Sequence, residues 1–488
     1  MRLFDTEVQK LKYKVINELV KMADSGRIDK AFYEIPAKIA PGPEATMRCC
    51  IYKERAIVQE RLKHAMGSAS EADREENIVQ VIDIACDECP VEHFTVTEAC
   101  RGCIAHRCLS ACPVGAISFE NKKARINRDK CIGCGKCMSV CPYKAISENV
   151  RPCIRGCKSG AIIIDENKKA KIIDSKCIGC GACVYNCPFG AIVDKSFVLD
   201  ALKILKGSEN GRKYKVYAAI APSIASQFNY AKIEQVVTGL EKLGFHTVVE
   251  VALGADLAAS KEAAELAEKG FLTSSCCPSF VKYIEINFPA LAKHISHNVS
   301  PMMEIAKLIK KTDESARVIF IGPCIGKKSE YRRKEHEGII DCVITFEELQ
   351  ALFDGMGIEI EKCEEKSLDN ASYYGRIFAR SGGLTEALTH VIKEDGLDIE
   401  LNAEVCDGIE QCKIALLKAS KGKLDKNFIE GMACEGGCIN GAACLHHGPK
   451  NRTEVDKYGK QAMEKTVKDA LEVFESMLRD DVQRQNQI

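Results

Sequence analysis

CIGCGKCMSVCPYKAI (131–146) returns almost unchanged as CIGCGACVYNCPFGAI (177–192). Each copy spaces its cysteines C-x2-C-x2-C-x3-C with a proline after the last: Cys131, Cys134, Cys137 and Cys141 before Pro142, then Cys177, Cys180, Cys183 and Cys187 before Pro188. Three thiolates so close in sequence must share one tight loop, and the interleaved glycines let the backbone turn and bring its amides near the sulfurs. Soft thiolates in this number select iron–sulfur clusters. Zinc would be satisfied by one CxxC pair facing another and has no need of two full runs closed by proline.

Working outward, the closing phrase recurs as CPVGAI (112–117) and, weakened, as CKSGAI (157–162). KARINRDKCIGC (123–134) and KAKIIDSKCIGC (169–180) are near-duplicates, each predicting a short strand that enters a cysteine loop. These repeats resemble tandem bacterial ferredoxin modules, placed at 86–150 and 151–205. In such modules three neighbouring thiolates hold one cubane and the fourth ligates its neighbour. Cys100, Cys103, Cys108 and Cys112 form a related run with two extra residues. By the crossing rule Cys100, Cys103 and Cys108 join Cys141, while Cys131, Cys134 and Cys137 join Cys112. Cys177, Cys180 and Cys183 can take Cys157, leaving Cys153 and Cys187 for the pair Cys86 and Cys89. Sixteen cysteines from Cys86 to Cys187 match four 4Fe–4S clusters; were the 86/89 pair structural, three would remain.

Composition agrees with metal rather than disulfides. The chain has 28 cysteines in 488 residues, yet 46% of its residues are hydrophobic, so its core needs no staples. Lys plus Arg equals Asp plus Glu at 69 each, which gives no global charge for nucleic acid or an anionic membrane. No apolar run approaches the ~18 residues of a membrane span. The N-terminus MRLFDTEVQKLKYK reads as a charged amphipathic helix, not a secretory signal, so a cytoplasmic location is expected. Residues 1–85 read as a helical region without chemistry of its own: KERAIVQERLKHAM (53–66) predicts a helix and PAKIAPGPEAT (36–46) a break. Cys49 and Cys50 lack metal-spaced partners and are expected to be buried thiols.

From 206 to 488 the pattern turns to strand–helix alternation. KYKVYAAIAP (213–222), HTVVEVALG (246–254), ARVIFIGP (316–323) and GIIDCVITF (338–346) predict strands, with helices at 257–270 and 346–355 between them. The expected fold class is therefore α+β cluster modules followed by an α/β domain with a parallel sheet, whose chemistry collects at the carboxyl ends of strands. The tail from about 455 predicts one amphipathic helix.

Three loops in this domain carry cysteine among Gly, Pro and Ser: TSSCCPSF (273–280), IGPCIGKKSE (321–330) and EGMACEGGCINGAAC (430–444). None has ferredoxin spacing, yet together they could give one cubane four thiolates. In order and content they resemble the three signatures of iron-only hydrogenases, in a divergent branch of that family. The resemblance implies an H-cluster: a 4Fe–4S cubane held by Cys277, Cys324, Cys434 and Cys438, with Cys438 bridging to a diiron subcluster that carries carbonyl, cyanide and dithiolate ligands. It implies further that Lys327, Ala221, Pro222 and Met432 contact that subcluster. Cys276 would be the proton-passing thiol, with Glu262, Glu265, Ser296 and Glu330 as further relay members; for these four an exposed surface position is an equal expectation. The implied activity is reversible interconversion of H2 with protons and electrons. Electrons would pass through the accessory clusters to ferredoxin or another redox protein, and maturation proteins would deliver the diiron subcluster. Two other classes are the alternatives: an iron–sulfur assembly protein without a diiron site, which should lack Cys276 and Lys327, and a hydrogen sensor, which usually carries an added signalling domain. The chain departs from the family at Phe280 (Trp), Gly322 (Met), Cys444 (Gln) and Lys269 (Arg). Glu435, beside a ligand, would lower the local potential if it pointed inward.

Overall fold

The computed structural model describes residues 3–67, 77–90 and 93–472. Helix α1 (Glu7–Asp24) opens on a capping box, in which Thr6 Oγ1 accepts from the Gln9 amide and Gln9 Oε1 accepts from the Thr6 amide. Its stripe of Val15, Ile16, Leu19 and Val20 is fully buried. Helices α2 (Ala31–Ile39) and α3 (Ile51–Ala65) complete the N-terminal layer. The expected break begins later than Pro36, which stays inside α2. The Phe32 carbonyl that a residue-36 amide would have served accepts instead from Gln59 Nε2 at 3.1 Å. Cys49 and Cys50 are exposed, against expectation, because they fall at the entry to α3 and outside its buried face.

The cluster region is built from two-stranded antiparallel pairs. Strand β1 (Val79–Val81) precedes β2 (Phe94–Val96), β3 (Ile117–Glu120), β4 (Lys123–Ile126) and β5 (Ile146–Glu148), and β6 (Ile162–Ile164), β7 (Ala170–Ile172) and β8 (Ile192–Asp194) follow. The pairs are β3–β4, β6–β7, β2–β5 and β1–β8. Because β1 pairs with β8, Val79 facing Asp194, the stretch bearing Cys86 and Cys89 lies against the end of the second module. The first module is threaded between.

Two parallel sheets follow. One has the order β10–β9–β12–β13, from β9 (Val216–Ile220), β10 (Thr247–Glu250), β12 (Arg317–Gly322) and β13 (Cys342–Thr345). The other has the order β11–β15–β14, from β11 (Leu272–Thr273), β14 (Ala403–Asp407) and β15 (Phe428–Met432). The β12–β9 register sets Ile321 beside Ile220, so the turns at Ala221 and Pro323 leave the sheet side by side. The expected strand at 246–254 stops at Glu250, where helix α4 (Val251–Lys269) begins. The Glu250 carboxylate is clamped there by Arg376, at 2.7 and 2.8 Å, and by Tyr458 Oη at 2.6 Å. Gly270, in the left-handed region, ends α4. The expected single tail helix is interrupted: it runs Lys450–Lys460, breaks, and resumes at 467, its remainder lying outside the described residues.

Gly181 shows how closely module and domain meet. Its φ of +76° suits a residue without Cβ, and a Cβ there would stand 2.4 Å from Ile325 and 3.0 Å from Ala442. The second cysteine loop is thus seated on the IGPCIGKKSE and GAAC segments.

Candidate active site

Strands β9, β11, β12 and β15 all deliver their carboxyl ends to one place. There Ala221 and Pro222, Cys276 and Cys277, Cys324 and Lys327, Met432 and Cys438 line a single cavity of about 70 Å³. Three loops separated by up to 160 residues of chain therefore converge. Cys434 does not line this cavity but the neighbouring one, with Cys180; the thiols that act on it are Cys324, Cys277, Cys180 and Cys438. Burial pushes Cys324 up to about 11 and Cys438 up to about 12, and Cys434 well above the thiol range. Thiols so buried and so crowded stay protonated unless a metal takes up the charge.

The rest of the wall is apolar, with Val251, Ala255, Met302, Phe320 and Phe378 excluding water. Ser223 Oγ lines the cavity fully buried and without a hydrogen-bond partner. An orphaned hydroxyl, a buried ammonium and thiols on one side of an apolar chamber fit a group that bears both metal and small polar ligands. Among the described residues no three His, Cys, Asp or Glu converge tightly enough for a single ion.

Lys327 lies on the short helix α5 (Ile325–Glu330). Its Nζ is 2.7 Å from Glu330 Oε2 and donates to the Cys276 carbonyl at 3.3 Å. Burial opposes its charge, but Glu330, with Cys324 and Cys438 adding to it, raises its pKa. The polar partner of Glu330 is thus Lys327. The neighbouring Lys328 has no exposure and pairs with Asp194 and Glu348, each at 2.8 Å.

The other three relay candidates are buried or nearly so, not surface residues. Glu262, 2% exposed on α4, is pushed up to about 8 by desolvation, with the Ser296 hydroxyl pulling down and Glu265 pushing up. One of its oxygens, Oε1, is buried without a partner. Ser296 Oγ donates to Glu265 Oε2 at 2.8 Å. Glu265 is held below the ordinary carboxylate range, despite partial burial, by Lys269 at 2.7 Å and the amide of His297 at 3.1 Å. The Cys276 thiol, raised by burial, feels Glu262 first among its charged neighbours. Ser296, Glu265, Lys269 (the family's arginine position) and exposed His297 are thus joined by hydrogen bonds, and Glu262 is the carboxylate that acts most on the cavity thiol Cys276.

At the accessory sites, Cys100, Cys103, Cys108 and Cys141 line one cavity, and Cys112, Cys131, Cys134 and Cys137 line another. Cys180, Cys177, Cys157 and Cys153 are the thiols that act on Cys183. Cys187, Cys89 and Cys86 are those that act on Cys153. The two first-module groupings each share a cavity, whereas in the second module Cys153 neighbours both sets of thiols.

Sequence reading missed several contributors. Phe378 carries no motif. Phe320 occupies the space at the family's methionine position: a Cβ on Gly322 would meet its ring at 2.6 Å. Phe280 is fully buried, its ring filling the gap over Gly431. Glu435 is exposed, so the inward-pointing condition for its effect on potential is not met. Cys444 is buried beside the carbonyls of Cys438 and Ile439.

The family described as "Iron only hydrogenase large subunit, C-terminal domain" matches residues 214–442. A "4Fe-4S dicluster domain" matches 99–145 and a "4Fe-4S binding domain" matches 170–193. Iron hydrogenase 1 of Clostridium pasteurianum is 29% identical over 397 residues, 70% of this chain and 68% of that one. The periplasmic [Fe] hydrogenase large subunit of Nitratidesulfovibrio vulgaris is 31% identical over 376 residues, 65% of this chain and 85% of that one. A probable cytosolic Fe-S cluster assembly factor of Culex quinquefasciatus is 26% identical over 282 residues, 45% of this chain and 59% of that one.

Proposed function

The chain belongs to the iron-only hydrogenase family, and from that premise we propose that it is a hydrogenase, interconverting H2 with protons and electrons at an H-cluster. The observation that carries this reading is the shared cavity of Cys276, Cys277, Cys324, Lys327 and Cys438. Cys277, Cys324, Cys434 and Cys438 would hold the cubane, and Cys438 would bridge to the diiron subcluster. That group, when bound, supplies an open iron and an internal base at which H2 can be split heterolytically. The protein's own part is positional and protonic. Lys327, kept charged by Glu330, offers an ammonium to an anionic ligand in the chamber. Ala221, Pro222, Phe320 and Met432 shape the chamber and keep it dry. Cys276 exchanges protons at the cavity wall, Glu262 stores one near neutral pH, and Ser296 passes it to Glu265. Electrons would leave through three or four accessory clusters to ferredoxin or another redox protein. No helix among the described residues is long and apolar enough to cross a membrane.

The similarity to an assembly factor favours a second reading, a cluster protein with a cubane and no diiron site. Infrared spectroscopy of anaerobically matured protein separates the two. Cyanide and carbonyl bands are expected. A fully iron-loaded protein without those bands would overturn the hydrogenase reading.

A further inference from the structure

The site of Cys86, Cys89, Cys153 and Cys187 differs from its siblings in the charge around it. Arg61, from α3, is 4% exposed and donates from Nη2 to the Gly190 carbonyl at 2.5 Å, while its Nε is buried with no partner. The groups acting on its charge are Cys187 and Asp194 and, opposing them, Arg48, and Asp194 is already held by Lys12 at 2.5 Å and Lys328 at 2.8 Å. Arg48 spends Nη2 on the carbonyls of Phe189 and Ala85, at 2.9 and 3.4 Å, and stacks over the Phe189 ring. Its buried Nη1 makes no hydrogen bond and is 3.6 Å from Asp87, which also serves Lys53. Arg151, 4% exposed, donates to carbonyls of Pro90 and Lys168 and points Nη1 at Cys86 Sγ, 3.8 Å away. Among the described residues neither Arg61 nor Arg151 forms an ion pair with a carboxylate.

Three buried guanidinium groups with one shared carboxylate among them need a countercharge, since an unpaired buried cation is strongly disfavoured. Four thiolates carrying a cluster supply it. The chain is shaped for the contact: a Cβ at Gly190 would meet Arg61 Nη2 at 2.6 Å, and only the third CP-x-x-AI phrase, CPFGAI, sets Phe and Gly against these arginines. The sibling sites lack such a set. Arg101 and Arg107 at the Cys100 site are exposed, as are Arg155 and Lys158 near Cys180, and Cys134 itself is open to solvent. Water screens those charges.

We propose that Arg48, Arg61 and Arg151 form a cationic cage around the Cys86–Cys89–Cys153–Cys187 cluster and make it the most easily reduced of the accessory clusters, so that electrons collect there. The inference rests on the reading that these four cysteines hold a cluster, and it gives the N-terminal helices a role: α3 and the segment before it supply two of the three cations. Gaining one electron adds one negative charge to the cluster. Burial alone resists that charge, whereas unscreened cations in the same low-dielectric space favour it, and here three act on one added charge.

The test is redox-poised electron paramagnetic resonance of the full anaerobic protein. Cys89→Ser identifies the signal to follow and should remove about four irons per chain. Arg61→Gln should lower the midpoint of that signal by about tenfold in the reduction equilibrium, 59 mV for one electron. Arg61→Lys, which keeps the charge, should recover most of the loss. Arg48→Gln, at a residue less buried than Arg61, should shift the same signal downward should Arg61→Gln fail to fold. If Cys89→Ser loses no iron, the fourth cluster is absent and the reading beneath the proposal falls. If the iron is lost but no arginine variant moves the midpoint, or if the signal titrates below its siblings, the cage is overturned.

Discussion

Replacing Glu262 by glutamine separates its role in stability from its role in proton flow. In the fold its carboxyl is raised from 4.5 to about 8, chiefly by burial. A raised folded pKa means that the native state holds a proton which the unfolded chain releases, so stability is complete below pH 4.5 and is lost as pH climbs to about 8. At about 1.4 kcal/mol per decade that loss is worth roughly 5 kcal/mol, an upper figure because the neighbouring Glu265 titration is linked to it. Glu262→Gln cannot ionise. It should therefore be about as stable as the parent at pH 5 and more stable by several kcal/mol at pH 8.5, measured as urea midpoints of the anaerobic protein at both values. Turnover in the same variant should fall by about 10²-fold or more, because the amide can neither take nor give up a proton. Parallel stability profiles for parent and variant would refute the buried, proton-holding carboxyl. Undiminished turnover would remove Glu262 from the proton path.

Cys276→Ala should abolish most turnover while leaving iron content and the cyanide and carbonyl bands in place; unchanged activity would take the thiol off the path. Lys327→Met should strand Glu330 as a buried charge, cost about 3–5 kcal/mol, and weaken the diiron bands. Adding Glu330→Gln should restore the melting temperature but not the bands, and recovery of both would reduce Lys327 to an ion-pair partner. Gly322→Ala should force the Phe320 ring from the chamber wall and destabilise the protein by about 1–3 kcal/mol in thermal melts, whereas a neutral outcome would show that the ring can yield.

The parts of this protein legible in its sequence are those whose chemistry is local. The CxxCxxCxxxCP runs and the three cysteine loops announce themselves because ligand spacing is fixed by a loop of a few residues, and in the first module each expected set of four thiols lines one cavity. Pattern alone was less informative where a residue's setting is made by distant chain. Glu262 and Glu265 read equally well as exposed helix positions, because nothing in LAASKEAAELAEKG reveals that Ser296 and the His297 amide close over that face. The run VVEVALG looked like one strand because its hydrophobicity does not record that Arg376, more than 120 residues away, pins Glu250 and turns the chain into α4.

The N-terminal region was opaque for the same reason, and its burial pattern says what it is for. Lys12 on α1 meets Asp194 at 2.5 Å and Glu347 at 2.7 Å, partners 182 and 335 residues away, and Lys328 meets Asp194 and Glu348 from the other side. Two lysines and three carboxylates share one buried network that joins α1, the end of the second module and α5, the helix carrying Lys327. Because removal of any member leaves charge buried without a partner, the network resists partial opening. The energetic consequence is a fixed relation between the cluster modules and the chamber, which the proposed electron transfer between them would require. Lys12→Met should therefore loosen the modules as well as α1, seen as faster amide exchange in β8 and α5 together; exchange confined to α1 would show that the helices are only a cover.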